Sequence, residues 1–389
     1  MKELIRPEVH QFLLDYRGSP ADLALGKSKF PGLSSSQLAQ QLQGLRKAKT
    51  KLPSWHKNPA ILYPPKISLE QSSSEATAQY KAKLVSGQSF VDITGGMGVD
   101  SYWFSKQFER VDYFELNSEL AGLSAHNFKA FGAHNISVHS SDGLQGLKDL
   151  KPDWIFIDPS RRNKTKGKVY FLADCEPDMT TELDKLLGFA PNVMIKTSPM
   201  LDISQGLREL NSVKEIHVVA VQGEVKELLW ICSREYDGPV NIVSSNLLRT
   251  GGFQSYTSAW TRDIRHPEMG TVSAYLYDPN PAMVKANQHD GFAVEMGLSK
   301  LAAHTHLYTD PDILSYPGRR FEVVEVLPYT KAILKKQLKP GKANVATRNF
   351  PLTVQEIRKK WKLQDGGEQF LFFVKDHQDQ KIVVRAKRI

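Results

Sequence analysis

The sequence predicts an α/β protein built on a doubly wound parallel sheet, with a helical region before the sheet and small α+β domains after it. Two observations support this prediction. From Phe90 onward, short apolar strands alternate with helical stretches, a pattern typical of parallel sheets. The last two strands, Glu215–Val221 and Leu228–Ser233, are separated only by the polar run QGEVKE. Because this run is too short for a crossover helix, the sheet must end in an antiparallel hairpin.

The first predicted strand, Phe90–Ile93, leads into a glycine-rich turn, and a helix follows from about Val99. Three glycines lie where the strand becomes the helix: Gly95, Gly96 and Gly98. Glycines let backbone amides approach a ligand closely, and a helix N-terminus favours negative charge. The turn therefore suits a carboxylate, a phosphate or a nucleotide, although a tight turn without a ligand is the alternative. Asp92 could pair with a ligand cation, which favours a zwitterion over a pyrophosphate.

Acidic residues lie at or just after the ends of the first four predicted strands. The next four strands are Val111–Glu115, Asn135–His139, Trp154–Asp158 and Val193–Thr197. The acids are Asp92, Glu115, Asp142 and Asp158. In open α/β sheets, ligands bind outside the carboxyl ends of the strands, so one crevice could hold all four side chains. Any one of them alone is also typical of a helix N-cap or a turn.

Composition excludes several classes of protein. The chain has 389 residues, enough for several domains, and an ordinary globular composition. No apolar run reaches the length of a membrane-spanning helix, so no membrane partner is predicted. Two isolated cysteines, Cys175 and Cys232, argue against a disulfide scaffold and fit the cytoplasm. The histidines, including the His304/His306 pair, lack convincing metal-ligand spacing, so no metal is predicted.

The positive charge of the chain is concentrated at its C-terminal end. The net charge is +9, but Arg319–Ile389 alone carries 17 Lys and Arg against 7 Asp and Glu. The rest of the chain carries 34 against 35. Such asymmetry indicates a polyanionic partner, with a solvated basic surface as the alternative. Cations near apolar residues occur at Lys335 and Lys336 and at Arg358 and Lys359, which we expect to contact the phosphates of such a partner.

Breaks in the pattern divide the chain into five predicted regions. Residues 1–85 are predicted to be helical, residues 86–236 form the parallel-sheet domain, and residues 237–279 form a β-rich connector. Residues 280–325 form a small mixed unit, and residues 326–389 form the basic terminal domain. Helices are predicted over Pro7–Tyr16, Ser34–Lys49, Gln71–Leu84 and Thr353–Trp361, and C-terminal strands over Glu322–Leu327, Gln369–Lys375 and Lys381–Lys387. The polar start of the Gln71–Leu84 helix could lie beside the glycine turn.

Four short motifs in the sheet domain resemble those of class I S-adenosylmethionine (AdoMet) methyltransferases. They are DITGGMGVD (Asp92–Asp100), FEL (Phe114–Leu116), SSDGL (Ser140–Leu144) and IDPSRR (Ile157–Arg162). The flanking LEQSSSEATAQYKA and IKTSPMLDI, together with the basic tail, resemble a bacterial group of RNA methyltransferases with a C-terminal THUMP-like domain. In that group a small ferredoxin-like unit precedes the tail. The resemblance implies a Rossmann-like class I sheet, AdoMet as cofactor, and rRNA or tRNA as partner.

The shape of AdoMet assigns a role to most residues of these motifs. Asp92, Thr94 and the three glycines would surround the methionine moiety. Glu115 would accept hydrogen bonds from both ribose hydroxyls, because a carboxylate offers two acceptor oxygens and no donor. Asp142, with Ser141 beside it, would accept from the adenine amine, and Leu116 would pack on the adenine face. An NAD enzyme would need the same acid at Glu115, so that residue alone does not discriminate.

The run Asp158-Pro159-Ser160-Arg161-Arg162 resembles the methyl-acceptor loop of amino-group methyltransferases. That loop usually reads Asp/Asn-Pro-Pro followed by an aromatic. In this sequence Ser160 replaces the second proline and Arg161 occupies the aromatic position, where a guanidinium can stack on a base or bind phosphate. We therefore predict Asp158, Pro159, Ser160 and Arg161 as catalytic residues, and Arg162 as an RNA contact. Lys196 either faces the crevice, where it would contact substrate, or caps a strand.

The predicted activity is methylation of RNA at an exocyclic purine amine, with a flipped base in the crevice. The loop is also similar to the DPPR of uracil-C5 methyltransferases, but those need a cysteine after the next strand, and this sequence has Lys196-Thr-Ser-Pro199 there. Three alternatives stay open. They are a methyltransferase of a small molecule or protein, an RNA-binding protein that holds AdoMet without catalysis, and an NAD-dependent enzyme. The terminal hairpin argues against the last.

Overall fold

The structure is a computed structural model that describes residues 2–161, 171–338 and 340–389. The chain divides into two compact units. The first comprises Met1–Ile216 and Leu228–Gly238, and the second comprises His217–Glu227 and Pro239–Ile389. Within the described residues, no helix is both long enough and apolar enough to cross a bilayer.

The first unit begins with helices, as the sequence predicts. A 3-10 turn, Lys2–Ile5, precedes α1 (Pro7–Asp15), α2 (Pro20–Leu25), α3 (Ser35–Lys51), α4 (Pro53–Lys57), α5 (Lys66–Gln71) and α6 (Glu75–Ala82). The side chains of Ser19 and Ser34 cap α2 and α3 in capping boxes. The helix predicted over Gln71–Leu84 is present but begins later, as α6: Gln71 ends α5, the chain is extended at Ser72 and Ser74, and the Ser74 side chain caps the start of α6.

Strands and helices then alternate through the rest of the first unit. They are β1 (Ser89–Asp92), α7 (Val99–Phe104), β2 (Arg110–Phe114), α8 (Ser118–Ala130), β3 (Ile136–His139), α9 (Gly143–Gly146), β4 (Trp154–Ile157), β5 (Ser160–Arg161), β6 (Cys175–Glu176), α10 (Met179–Phe189), β7 (Asn192–Thr197) and α11 (Ile203–Glu209). Two further 3-10 turns span Leu147–Asp149 and Leu172–Asp174. The strands β3, β2, β1, β4 and β7 lie side by side in that order and are all parallel. The predicted parallel sheet is confirmed.

The predicted terminal hairpin is also confirmed. It consists of β8 (Val213–Val221) and β9 (Glu224–Ser233), and β9 runs antiparallel to β7. The loop is shorter than the predicted QGEVKE, because Gln222 and Gly223 both adopt positive φ, 53° and 87°. Two such residues form the tight turn that matches the twist of paired strands. Both strands therefore extend further than their apolar cores indicate.

The second unit contains the remaining elements. They are β10 (Asn241–Leu247), β11 (Phe253–Ala259), β12 (Tyr275–Pro279), α12 (Pro281–Lys285), α13 (His289–Glu295), β13 (Ser299–Ala302), β14 (Thr305–Asp310), β15 (Gly318–Pro328), α14 (Lys331–Gln337), β16 (Gly341–Lys342), β17 (Asn344–Arg348), α15 (Val354–Trp361), β18 (Leu363–Gln364), β19 (Gln369–Lys375) and β20 (Lys381–Arg388). Seven of these strands form one sheet in the order β13-β14-β12-β15-β20-β19-β17.

Alternation along the strands gives this seven-stranded sheet two apolar faces. Phe321, Phe372 and Val384 belong to one buried cluster, which we call the Phe372 face. Leu371, Phe373 and Val383 pack instead with residues of α14 and α15 in a second cluster, the Phe373 face. Successive side chains of a strand point to opposite sides, so neighbouring residues Phe372 and Phe373 serve different cores.

Candidate active site

The conformation of the turn after β1 requires its glycines. Gly98 adopts a φ of 77° at the start of α7, a conformation that L side chains rarely adopt. A Cβ on Gly98 would also lie 2.4 Å from the Phe128 ring. Tyr113 closes the turn from the next strand, since its hydroxyl donates to the Gly96 carbonyl at 2.5 Å. The Gly95 amide donates to the Phe114 carbonyl at 2.8 Å.

Asp92 supports this turn from inside the protein. Its side chain is buried, with 1% exposure. Oδ1 accepts from the Thr94 amide at 3.0 Å, and Oδ2 accepts from the Ser101 hydroxyl. Burial raises the pKa of Asp92 to about 7, because the charged form loses solvation, although its two hydrogen bonds act in the opposite direction. The carboxylate therefore braces both ends of the turn.

Glu115 lies immediately after β2 and contacts the same turn directly. Its Oε2 accepts from the Gly96 amide at 2.9 Å, and its Oε1 accepts from the Asn117 amide at 2.8 Å. Each carboxylate oxygen has two lone-pair directions, so each can accept one more hydrogen bond. Leu116, the next residue, is an apolar side chain with 75% exposure.

Asp142 follows β3 and caps the short helix α9. Its Oδ1 accepts from the amides of Leu144 and Gln145 at 2.8 and 3.2 Å. The next residue brings this segment against the end of β1: a Cβ on Gly143 would lie 2.5 Å from the Ile93 carbonyl oxygen. Ser141 is exposed. In the described part of the chain, Asp142 Oδ2 has no hydrogen-bond partner.

Asp158 follows β4 and is held from two sides. Its amide donates to the Thr94 hydroxyl at 2.7 Å, and its Oδ2 pairs with the Lys196 ammonium from β7. The Lys196 side chain is 12% exposed and the Asp158 side chain 36% exposed. Lys196 therefore lies beside Asp158 at the carboxyl edge of the sheet, and its contact with substrate stays a prediction. It fixes the orientation of the Asp158 carboxylate.

All four strand-end acids thus lie around residues 92–98. Asp92, Glu115 and Asp158 each make a hydrogen bond to this segment, and the Asp142 segment packs on its first residues. Pro159 and Ser160 continue from Asp158, and Ser160 and Arg161 pair with β6 through the register Ser160↔Glu176 and Arg161↔Cys175. The Arg161 side chain and the whole of Arg162 lie outside the part of the chain that the structure describes.

One buried ion pair beside the turn was missed by sequence reasoning. Lys81 of α6 is fully buried, and its ammonium lies 3.2 Å from Asp100 Oδ1 in α7. Ser73 bridges the two, accepting from Lys81 at 3.0 Å and donating to Asp100 Oδ2 at 2.7 Å. The polar start of this helical segment therefore does reach the helix after the turn. In sequence, a lysine in AQYKAKL is typical of an exposed position, so no signal distinguished it.

The C-terminal residues predicted to contact RNA occupy two helices of the second unit. Lys335 and Lys336 are exposed on α14, and Lys359 is exposed on α15. Arg358 is instead half-buried and paired with Asp365. Across the described residues, no group of three His, Cys, Asp or Glu side chains could hold a metal ion.

The structure has the sheet of a class I methyltransferase: five parallel strands, an antiparallel strand beside β7, and acidic residues around the glycine turn after β1. A full-length structural similarity supports this assignment. The crystal structure of a "putative methyltransferase" from Porphyromonas gingivalis W83 has a TM-score of 0.87 and 32% identity, covering 100% of this chain and 98% of that chain. The THUMP domain-like family matches residues 318–388, and a ferredoxin-like domain matches residues 275–317. The chain therefore belongs to this family of methyltransferases with ferredoxin-like and THUMP-like domains.

Two other solved structures are similar over part of the chain. An rRNA methylase from Streptococcus thermophilus has a TM-score of 0.31 and 14% identity, covering 41% of this chain and 93% of that chain. The M. jannaschii tRNA m1G37 methyltransferase has a TM-score of 0.31 and 16% identity, covering 42% and 52%. At these scores the similarity carries no further conclusion. No curated protein matches the chain significantly.

The raised pKa of Asp92 predicts an unusual pH dependence of stability. The ordinary pKa of the group is 3.8 and the folded value is about 7, so the folded state binds this proton more tightly than the unfolded state. Below pH 4 the carboxyl is protonated in both states and costs nothing. Between pH 4 and 7 its contribution to the free energy of unfolding falls as the pH rises, and above pH 7 the loss is complete. Asp92→Asn removes this loss and should be more stable than the wild type at pH 8, by about 2–4 kcal/mol.

Urea unfolding between pH 5 and 8 measures this difference. Asparagine can preserve both hydrogen bonds, since its oxygen accepts from Thr94 and its amide can donate to the Ser101 hydroxyl. Ser101→Ala should have the opposite effect. It removes a hydrogen bond to the charged form of Asp92, so the free energy of unfolding should fall more steeply as the pH rises. Equal pH slopes in the wild type and Asp92→Asn would contradict the prediction.

Proposed function

We propose that the protein transfers a methyl group from AdoMet to an exocyclic purine amine in rRNA or tRNA. The contact of four acid-bearing strand ends with one glycine turn is the observation on which this proposal rests most. The residues at the turn fit a sulfonium nucleoside. Glu115 retains one acceptor direction on each oxygen for the two ribose hydroxyls, Asp142 Oδ2 suits the adenine amine, and exposed Leu116 offers an apolar surface for the adenine ring.

When bound, AdoMet supplies an activated methyl group on its sulfonium. The task of the protein is then to position the acceptor and to stabilise the charge that develops on it. In the proposal, the Asp158 carboxylate accepts a hydrogen bond from the target amine and orients its lone pair. Lys196 prevents the carboxylate from rotating away, and the Thr94 hydroxyl ties the Asp158 backbone to the cofactor turn. Pro159 and Ser160 shape the loop, and Arg161 and Arg162 would orient the RNA.

The basic C-terminal part would provide most of the RNA affinity. Phosphate contacts from Lys and Arg give binding without sequence information, and the THUMP domain-like match covers the residues where the excess charge lies. Lys335, Lys336 and Lys359 are exposed and available for such contacts. The two cysteines, Cys175 and Cys232, are buried thiols, a cysteine usage that fits a cytoplasmic enzyme acting on ribosomal or transfer RNA.

Transfer of tritiated methyl groups to RNA tests the proposal. Bulk rRNA and tRNA from a strain that lacks the gene should accept label from AdoMet, because the target site is unmodified there. The same RNA from the parent strain is the matched control and should accept little. Digestion to nucleosides should place the label on a purine amine. Label in protein or small molecules would contradict the RNA proposal, and label on a ring carbon would contradict the amine.

A further inference from the structure

The second unit contains a polar cavity at the start of β15. Its volume is about 230 Å³, and almost all of its lining is polar. Three arginines line it: Arg319, Arg320 and Arg388. Arg319 and Arg320 are consecutive on β15, and Arg388 lies at the end of the neighbouring strand β20, where it is the register partner of Phe321. The Ile389 amide donates to the Arg320 carbonyl at 3.2 Å and holds the two strand ends together.

A buried carboxylate orients one of these arginines. Asp278, at the end of β12, is 2% exposed. Its Oδ2 accepts from Arg319 Nε at 3.0 Å and also from Nη2, and its Oδ1 accepts from Arg348 Nη2 at 3.0 Å. Two guanidinium groups therefore share one carboxylate, and the cluster keeps a net positive charge. The side chain of Arg319 is still 41% exposed, so it can also contact a ligand in the cavity.

The other two arginines are not neutralised. Arg320 donates to the Leu314 carbonyl at 3.2 Å, and neither it nor Arg388 forms an ion pair with a described residue. No Asp or Glu side chain lines the cavity. A guanidinium presents a planar fork of donors that matches the oxygens of a phosphate. The volume is many times what one water molecule needs, so a phosphate group fits.

We infer that this cavity binds a backbone phosphate of the RNA substrate, which rests on the function proposed above. It is separate from the lysines of α14 and α15. Those helices pack on the Phe373 face of the seven-stranded sheet, whereas Arg319 and Arg388 continue the alternation of the Phe372 face. The RNA would then also contact the second unit on the side of the Phe372 face, where none of the predicted RNA-binding lysines lies.

Arg388→Gln tests the inference, with Lys387→Gln as its matched control. Lys387 is the exposed neighbour on the same strand, and its side chain points to the opposite face. Binding of the full chain to bulk tRNA is measured by filter retention over a range of salt concentrations. Arg388→Gln should weaken binding roughly tenfold at low salt and reduce the slope of log K against log salt by about one. Lys387→Gln should change the slope much less. Arg320 also lines the cavity, although alternation puts its side chain on the other side of β15 from Arg319. Arg320→Gln, a second variant that leaves the Asp278 cluster intact, should also weaken binding.

The possible results separate the two proposals. If both lysine and arginine variants reduce the slope equally, the effect is general electrostatics and the cavity has no special role. If both arginine variants bind as the wild type does, the cavity does not hold a phosphate, but RNA binding still stands. If the wild type shows no salt-dependent binding to RNA, the proposed function itself fails.

Discussion

Asp158→Ala should abolish methyl transfer while leaving AdoMet affinity nearly unchanged. The carboxylate is the group proposed to hold the target amine, and none of its hydrogen bonds is needed to shape the glycine turn. The Asp158 amide, which contacts Thr94, is retained in the variant. Loss of a positioned group that acts on the transition state commonly costs 10²–10³ in kcat, so we expect at least that reduction.

Lys196 makes it possible to separate catalysis from stability. Asp158→Ala removes an ion-pair partner from a lysine whose side chain is only 12% exposed, so some loss of stability is expected. The double variant Asp158→Ala/Lys196→Met should recover that stability, because it removes the second charge as well, but it should not recover activity. Asp158→Asn keeps a neutral acceptor and should retain a small residual rate.

Single-turnover methyl transfer and AdoMet calorimetry on the same preparations provide the measurements. If Asp158→Ala stays active, the residue has no role in positioning the acceptor. If the double variant recovers both stability and activity, the aspartate acts only by neutralising Lys196. A parallel loss of AdoMet affinity would assign Asp158 to the cofactor instead of the acceptor.

The apolar runs of the sequence and the lengths of the segments between them were sufficient to predict the strands of the parallel sheet. The five parallel strands and the terminal hairpin lie where the apolar runs of the sequence indicate, because each buried strand is a short run bounded by turn residues. The acids at strand ends come together because parallel strands place all their carboxyl ends at one edge. Their assignment to a cofactor rests on the sequence motifs and stays a prediction.

Long-range side-chain pairs were beyond sequence reasoning. The run Arg348-Asn-Phe-Pro351 is an example. In the structure Arg348 reaches Asp278, 70 positions away, while Asn349 adopts a φ of 48° and Phe350 packs on Tyr329 and Phe373. Nothing in the local pattern identifies Asp278 as its partner, because the two residues lie on strands β12 and β17, which are far apart in the sequence. The Lys81–Asp100 pair could not be predicted for the same reason, since the burial of Lys81 depends on how a separate segment packs against it.

Glu115→Ala should weaken AdoMet binding by at least 100-fold without unfolding the protein. The variant loses the proposed acceptors for two ribose hydroxyls, and hydrogen bonds to a charged acceptor contribute about 1.5–3 kcal/mol each. It also releases the Gly96 amide, which Glu115 holds at 2.9 Å in a backbone conformation with a φ of 57°. The turn should therefore become more mobile as well as lose a ligand contact.

Glu115→Gln separates these two effects. Glutamine can still accept from Gly96 through its oxygen, so the turn should keep its shape, but it offers fewer acceptors and no charge to the ribose. We expect roughly tenfold weaker binding in that variant. Glu119→Ala is the matched control, because this exposed glutamate lies in the first turn of α8 and makes no side-chain contact with residues 92–98 among those described. Calorimetry with AdoMet and with NAD measures the affinities of the wild type and the three variants. Equal AdoMet affinities in Glu115→Ala and Glu119→Ala would show that Glu115 does not bind the cofactor. NAD is included because the same carboxylate can bind the ribose of either cofactor, and tighter binding of NAD by the wild type would contradict AdoMet as the cofactor.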